Sequence, residues 1–176
     1  MTYENPESLN CQAIELASLG EYNEAIACFH KALLLDSTNY RLWYNLGLTY
    51  HALGDYPAAK KSFLKSYKLH PEDADLLESL GLTCYNMEEY DEAEDYYCEA
   101  ISLNFYRDTL WNNLGVLYFA RQNFEKACDA FEHALTMNPD YYNALFNLRD
   151  TYAELGNYSG VKVCEEKMRN LRQDTR

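Results

Sequence analysis

Apolar and polar positions recur along this chain with a period of 34 residues, and five copies follow one another without an insertion. The copies are residues 6–39, 40–73, 74–107, 108–141 and 142–175, and positions 1 to 34 are counted within each copy. A fixed period of this length predicts five copies of one supersecondary unit in a single array over residues 1–176.

Each copy contains two sets of apolar or small residues at helical spacing. The first set occupies positions 4, 7, 8 and 11, which is the i, i+3, i+4, i+7 stripe of an amphipathic helix, and we name this helix A. The second set occupies positions 20, 24, 27 and 30 and predicts a helix B. In the second copy the sets are Trp43, Leu46, Gly47 and Tyr50, then Ala59, Phe63, Ser66 and Leu69.

Prolines and glycines mark the ends of these helices. Pro6 and Pro57 fall in the first turn of a helix A and a helix B, where a missing N–H costs nothing. Gly20, Gly54 and Gly156 fall where a helix A ends, which predicts a left-handed backbone there. Three other glycines stand at position 8 of the second, third and fourth copies, inside helix A. We expect close packing to favour them despite the low helix propensity of glycine.

The signature W-x-x-L-G-x-x-Y occurs intact in two copies, as Trp43-Leu46-Gly47-Tyr50 and Trp111-Leu114-Gly115-Tyr118. With Ala127, Phe131, Ala134 and Pro139 in the second half of the fourth copy, the pattern resembles the tetratricopeptide repeat family. The resemblance implies an all-α fold, a right-handed α-solenoid (superhelix) of five antiparallel helix pairs. It also implies a non-catalytic protein–protein interaction module whose A helices line a concave groove.

The terminal copies depart from the pattern. Gln12 replaces leucine in the first copy, and Arg149, Val161 and Glu165 replace small or aromatic residues in the fifth. Terminal repeats of a solenoid need a polar outer face, which accounts for most of these changes. Arg149 stands at a packing position that is usually glycine, and we expect it to pair with Glu165 or Asp150 and to loosen the last helix pair.

Charge limits the classes of partner. The formal net charge is −13, which disfavours nucleic acid and anionic membranes as partners and favours a ligand of basic character. Residues 74–107 carry nine acidic side chains against one arginine, whereas the segment after residue 160 is rich in lysine and arginine up to Arg176. The acidic stretch from Glu88 to Glu99 is a solvated face or a docking site for a basic segment, for example that of another copy.

The six cysteines and four histidines show no metal-ligand spacing and no catalytic grouping, so we expect no enzyme, no metal and no cofactor. Irregular cysteine spacing in a chain with a large core predicts reduced thiols packed as small hydrophobic residues. The first ten residues do not resemble a signal peptide, and no apolar run is long enough to span a membrane. The expected location is the cytoplasm.

The candidate peptide-binding residues lie on helix A. Position 6 carries Asn45, Asn113 and Asn147, and a carboxamide can both donate to and accept from a peptide backbone. One such group per repeat resembles the asparagine ladder of the O-linked N-acetylglucosamine transferase repeats and implies binding of an extended segment. The other candidates, at positions 5 and 12 and at position 2, are Tyr44, His51, Tyr85, Phe119, Phe146 and Arg41.

Alternatives remain at this stage. The asparagines could instead cap a neighbouring carbonyl or face water, and the carboxylate-clamp mode of the family is disfavoured because position 5 carries no lysine or arginine. Aromatic residues in the turns between repeats form either an interaction edge or internal packing; they are Tyr40, Phe105, Tyr106, Tyr141 and Tyr142. The alternative function is a structural scaffold, a homo-oligomer that self-associates through its terminal repeats or this tyrosine-rich edge.

Overall fold

The computed structural model describes residues 5–174, and Arg176 of the basic C-terminal segment lies outside them. In this range the secondary structure is entirely helical, with ten α-helices and no strand. The helices are α1 (Pro6–Ser18), α2 (Tyr22–Leu35), α3 (Tyr40–Leu53), α4 (Tyr56–Leu69), α5 (Ala74–Asn86), α6 (Tyr90–Leu103), α7 (Asp108–Ala120), α8 (Phe124–Met137), α9 (Tyr142–Glu154) and α10 (Tyr158–Asp174). Each 34-residue copy therefore contains one helix A and one helix B, which confirms the predicted all-α fold.

The helix ends follow the predicted punctuation. Pro6 and Pro57 lie in the first turns of α1 and α4, and the side chain of Asp55 accepts a hydrogen bond from the Ala58 N–H at the start of α4. Gly20 and Gly54, where α1 and α3 end, have φ angles of 81° and 87°. The equivalent non-glycine residues, Glu88 and Gln122, adopt the same left-handed conformation with φ of 61° and 60°.

The chain folds as two compact units, Met1–Ala93 and Glu94–Arg176, and the boundary falls within α6. In the first unit, a core of Leu9, Ala13, Phe29, Leu42 and Leu46 holds α1, α2 and α3 together. In the second unit, Phe131, Leu148 and Cys164 belong to a core cluster that packs α8 against α9 and α10. The predicted apolar stripes are therefore the buried faces of the helices.

Two of the glycines inside helix A are explained by the aromatic residue of helix B. A Cβ atom at Gly47 would lie 2.5 Å from the Phe63 ring, and one at Gly115 would lie 2.5 Å from the Phe131 ring. Neither distance is compatible with a normal van der Waals contact, so these positions require glycine. The same holds for Gly160, near the start of α10, where an added Cβ atom would lie 2.5 Å from the ring of Tyr152.

Two features differ from the expectations. Only four cysteines are buried, because Cys11 and Cys98 are exposed, so the prediction that all six pack as small hydrophobic residues was too broad. The apolar pattern predicts that the leucines at position 30 are buried on helix B, yet Leu35 is 57% exposed and Leu69 is 44% exposed. These leucines are the last residues of α2 and α4.

Candidate functional site

Two of the three asparagines at position 6, Asn45 and Asn147, donate hydrogen bonds to side chains of the preceding helix A. In the first unit, Asn45 Nδ2 on α3 donates to Asn10 Oδ1 on α1 at 3.0 Å. Asn10 stands at position 5 of its repeat, so the bond joins position 5 of one repeat to position 6 of the next. In the next step of the same unit, the residues at positions 5 and 6 are Tyr44 of α3 and Ser79 of α5, and the Ser79 hydroxyl donates to the backbone carbonyl of Asp75 at 2.8 Å.

The second unit repeats this arrangement with the same residue types. Asn147 Nδ2 on α9 donates to Asn112 Oδ1 on α7, again at 3.0 Å. Asn112 is buried, whereas Asn113 and Asn147 are half-buried on the same helix faces. In both units an amide at position 6 therefore donates to the side-chain carbonyl of an asparagine on the preceding helix A.

The bonds to position 5 leave hydrogen-bonding capacity on the amides. A carboxamide has two N–H donors and one carbonyl acceptor. Among the described residues, Asn45 and Asn147 each use one side-chain N–H, which leaves the Oδ1 atom and the second N–H of each without a partner. Because the first N–H fixes the plane of the amide, the remaining donor and acceptor are oriented before any ligand arrives.

Aromatic pairs lie at the C-terminal end of helix A in the first unit. His51 contacts Tyr56 with ring centroids 5.2 Å apart, and Tyr85 contacts Tyr90 at 5.9 Å. Burial lowers the pKa of His51, so the imidazole is neutral near pH 7 and its Nε2 can accept a hydrogen bond from Asn86 Nδ2 at 3.0 Å. These rings are half-buried and present partial faces to solvent.

In the second unit, Phe119 makes the equivalent contact with Phe124, with centroids 5.3 Å apart. Phe119 and Asn147 also line one small cavity of about 90 Å³. Phe119, a predicted contact for ligand side chains, and Asn147, a predicted contact for the ligand backbone, therefore line the same cavity. The cavity is large enough for a small apolar side chain.

Phe146 and Arg149 interact on α9. The Phe146 side chain is 42% exposed, and the Arg149 guanidinium lies 4.2 Å from the centroid of its ring. Arg149 also donates from Nε and Nη2 to Asp150 Oδ1, at 2.9 and 2.6 Å. Of the two predicted partners of Arg149, the structure shows Asp150.

Arg41 lies at the edge of a separate cavity between α1 and α3. The cavity measures about 370 Å³, and Asn10 and Leu42 also line it. The Arg41 side chain is exposed and donates from Nε to the Tyr40 hydroxyl at 3.2 Å. Tyr40, the first residue of α3, stacks on His70 with ring centroids 4.5 Å apart and is half-buried.

Helix B carries a charged site that sequence reasoning missed. Lys60 Nζ on α4 lies 2.6 Å from Glu89 Oε2 and 2.9 Å from Glu92 Oε2. Burial acts to lower the pKa of Lys60, but the hydrogen bonds to the two carboxylates raise it overall. Next to them, burial raises the pKa of the Cys84 thiol to about 12.

Cys84, Glu89 and Glu92 form a group of potential metal ligands. One ligand atom from each residue lies within 4.8 Å of the others. The Lys60 ammonium already pairs with both carboxylates, and the raised pKa keeps the Cys84 thiol protonated. A divalent cation would have to displace the ammonium, so these residues fit an internal ion pair.

The equivalent position in the second unit has the opposite charge. Glu94, which like Lys60 stands at position 21, accepts from the Tyr118 hydroxyl and from Arg121 Nη1, both at 2.8 Å. Lys126 Nζ lies 4.9 Å from the centroid of the Tyr118 ring and 3.9 Å from Glu94 Oε1. Part of the acidic stretch from Glu88 to Glu99 is thus neutralised within each unit. In the sequence, the signal for these two charged sites is the change from lysine to glutamate at position 21.

Comparison with protein-family models identifies the repeats. Models described as TPR repeat match residues 15–54, and models described as tetratricopeptide repeat match residues 40–104 and 109–141. The fold and these matches define a protein-interaction scaffold of a generally non-catalytic class. The chain belongs to the tetratricopeptide repeat family. A comparison with curated proteins gave no match.

Solved structures share the fold. A crystal structure of MamA superimposes with a TM-score of 0.86 at 23% identity, covering 93% of this chain and 95% of that chain. MamA 41-end from Desulfovibrio magneticus RS-1 gives 0.89 at 17% identity, covering 96% of each chain. YrrB, whose structure is described as a TPR protein with an unusual peptide-binding site, gives 0.76 at 26% identity, covering 94% of this chain and 86% of that chain. Because 445 solved chains match, similarity to any one of them identifies the fold and not a partner.

Across residues 5–174, no helix combines the length and the apolar character that a membrane span requires.

Proposed function

We propose that this protein binds an extended peptide segment on the surface formed by its A helices, the groove that the repeat family presents as concave. Asn45, Asn113 and Asn147 contact the backbone of the ligand. The side chains of the ligand contact the aromatic residues at positions 5 and 12, and Arg41 lies at the edge of the surface. The proposal depends most on one observation, the equal placement of the Asn45 and Asn147 amides at 3.0 Å from their position-5 partners.

The equal placement of the Asn45 and Asn147 amides matters because a peptide backbone offers the same hydrogen-bonding groups at regular intervals. Its N–H and C=O groups recur along the extended chain whatever the side chains are. A surface that offers an oriented donor and acceptor at the same repeat position in each unit is suited to that regularity. The half-buried rings of His51, Tyr85 and Phe119 would contribute side-chain selectivity.

Charge on this surface favours a ligand of basic character. Burial raises the pKa of Tyr44, and the negative charges of Asp75, Asp73 and Glu78 add to the effect. The field around Tyr44 is therefore negative, in agreement with the net charge of the chain. The similarity to YrrB supports peptide binding as a use of this fold, and the buried thiols fit the reducing cytoplasm that we propose as the location.

Self-association is the second candidate function, and one observation favours it. Tyr106, in the turn before α7, is 81% exposed and packs edge-to-face on Phe105, which is itself 46% exposed. Exposed tyrosine is enriched at protein interfaces. Self-association of the acidic stretch with the basic segment of another copy is less favoured, because Lys60, Arg121 and Lys126 already neutralise part of that stretch.

The test is a selection of peptide ligands followed by calorimetry. A library of random 12-residue peptides would be selected on the wild-type protein, and enriched sequences would be titrated into three proteins. These are the wild type, the triple variant Asn45→Ala/Asn113→Ala/Asn147→Ala, and the control Asn23→Ala/Asn170→Ala, which changes two exposed asparagines of the B helices α2 and α10.

We expect the triple variant to bind at least about tenfold more weakly, since each lost hydrogen bond contributes about 1 kcal/mol. The control should bind as the wild type does. Equal binding by all three proteins would refute the role of the asparagines. A wild type that selects no peptide but grows in mass with concentration in light scattering would support self-association, and Tyr106→Ser should then reduce that mass.

A further inference from the structure

Helix α4 carries a basic stripe in a chain that is otherwise acidic. The segment Tyr56–Leu69 contains four lysines and no acidic residue, although the chain has 28 acidic against 15 basic side chains. Lys60 is bound by Glu89 and Glu92. Lys61, Lys65 and Lys68 are all exposed, and within residues 5–174 none of them forms an ion pair.

The three lysines lie on one face of the helix. Their spacing is i, i+4, i+7, which places them within about 60° of one another around the helix axis and along about 10 Å of its length. We name Lys61, Lys65 and Lys68 the α4 lysine stripe. An exposed set of like charges without internal partners does not stabilise the fold, because like charges repel each other.

Apolar cavities lie on both sides of the stripe, within the first unit. One has a volume of about 340 Å³, with Pro57, Leu64 and Met87 among its lining residues. The other has a volume of about 240 Å³, and Trp43 and Tyr50 are among the residues that line it. Lys61 and Lys65 border both cavities. The lysines thus surround apolar recesses that are each large enough for a side chain.

We propose that the α4 lysine stripe binds an acidic protein segment that also carries apolar side chains. Carboxylates of the segment pair with Lys61, Lys65 and Lys68, and its apolar side chains enter the recesses beside Leu64 and Tyr50. The net charge of the chain predicts a basic ligand, whereas this surface would bind an acidic one. The stripe lies on a helix B, whereas the proposed peptide surface is formed by A helices.

The same observations disfavour other polyanions. A protein that binds nucleic acid or an anionic membrane usually has a broad basic footprint, and three lysines over about 10 Å on a chain of net charge −13 do not provide one. Phosphate groups would also make no use of the apolar cavity walls. An acidic segment with apolar residues matches both the charge and the recesses.

The test uses matched charge variants. Lys61→Gln/Lys65→Gln/Lys68→Gln removes the stripe, and Lys162→Gln/Lys167→Gln/Arg169→Gln removes three exposed cations from α10 in the second unit. Both variants change the net charge by the same amount, and glutamine has nearly the helix propensity of lysine. Circular dichroism would verify equal helicity. A bead-bound library of random 12-residue peptides is the probe, with duplex DNA and phosphatidylserine vesicles as further probes.

We expect a set of wild-type-selected peptides that is rich in aspartate and glutamate, contains leucine or phenylalanine, and binds the stripe variant roughly tenfold more weakly. The α10 control and the Asn45/Asn113/Asn147 variant should bind this set as the wild type does, so failure of the stripe and failure of the asparagine surface are separate results. The proposal would be overturned if no selected peptide set depended on the three lysines, or if the α10 control lost binding equally. Lysine-dependent binding of DNA or vesicles without acidic peptides would overturn it as well.

Discussion

One contact between A helices recurs in both units, whereas a charged position of the B helices changes its sign between them. On the A helices, the Asn10–Asn45 bond of the first unit recurs as Asn112–Asn147 in the second at the same distance of 3.0 Å. On the B helices, position 21 is Lys60 in one repeat and Glu94 in the next. Repeated groups suit a repeating ligand such as a peptide backbone, and unique groups suit recognition of one partner.

The change on the B helices also has a structural consequence. Lys60 has two carboxylate partners, and Glu94 has a hydroxyl and two cations as partners. The charges of Lys60 and Glu94 therefore each match the residues that surround them. We expect the B helices to tolerate exchange of residues between repeats poorly, and the A helices to tolerate it well.

The largest expected effect is charge reversal at Lys60. Lys60→Glu would place a third carboxylate beside Glu89 and Glu92 in a half-buried site and should lower the free energy of unfolding by about 2–3 kcal/mol. Urea unfolding followed by circular dichroism measures this loss. The adjacent exposed change Lys61→Glu is the control and should stay within about 0.5 kcal/mol. Similar effects of the two variants would contradict the pairing.

Charge reversal at Glu94 should cost about 2 kcal/mol, because it removes the acceptor of the Tyr118 hydroxyl and brings a cation next to Arg121 and Lys126. Adding Lys126→Glu to Glu94→Lys should recover about half of that loss by restoring one pair of opposite charges. Urea unfolding of both single variants and the double variant gives the coupling. Losses that simply add would show that the two side chains do not interact.

Alkaline pH should destabilise the protein through its buried thiols. Burial raises the pKa of Cys84 from 9.0 to about 12, so above pH 9 the unfolded chain loses a proton that the folded chain keeps. The unfolding free energy therefore falls as pH rises from 9 towards 12, by at most about 1.4 kcal/mol per pH unit for this thiol. Cys84→Ala should reduce the slope, and an unchanged slope would exclude this thiol as a cause.

The asparagines should contribute equally to stability. Asn45→Ala and Asn147→Ala each remove one solvent-accessible hydrogen bond, and each should cost about 0.5 kcal/mol more than Asn23→Ala, which corrects for the higher helix propensity of alanine. Thermal unfolding of the three variants provides the comparison. A difference above about 1 kcal/mol between Asn45→Ala and Asn147→Ala would show that the two sites are not equivalent.

A small gain in stability is expected at the end of a helix A. Gln122 has a φ of 60° where the equivalent residues Gly20, Gly54 and Gly156 have no Cβ atom to strain. Gln122→Gly should raise the free energy of unfolding by about 0.5 kcal/mol, since relief of strain exceeds the added freedom of the unfolded chain. Gly54→Ala is the reverse change and should destabilise, and a gain in that variant would argue against the strain.

Sequence patterns predicted the elements of this fold well, because each depends on residues within one repeat. The 34-residue period located Pro6, Pro57 and the left-handed glycines at the ends of helices, and the stripes identified buried residues such as Phe63. Periodicity also singled out position 6 as a candidate site. The leucines at position 30 were less well predicted, since coverage in the last turn depends on the neighbouring helix.

The contacts between repeats could not be predicted in the same way. The bond from Asn45 to Asn10 joins residues 35 apart, and the one from Lys60 to Glu89 joins residues 29 apart. Their formation depends on how far one helix is offset from the next, which the pattern of a single helix does not contain. The pairing of Lys60 therefore appeared only in the structure, and with it the contrast between Lys60 and the exposed α4 lysine stripe.

The most direct test of the central claim is NMR of the side-chain amides of Asn45, Asn113 and Asn147 during titration with a selected peptide. Our account predicts that these three pairs of N–H signals shift together and saturate at the same peptide concentration, while the amide of Asn23 stays unchanged. Saturable peptide binding that leaves the three amides unmoved would contradict the asparagine-lined surface as the binding site.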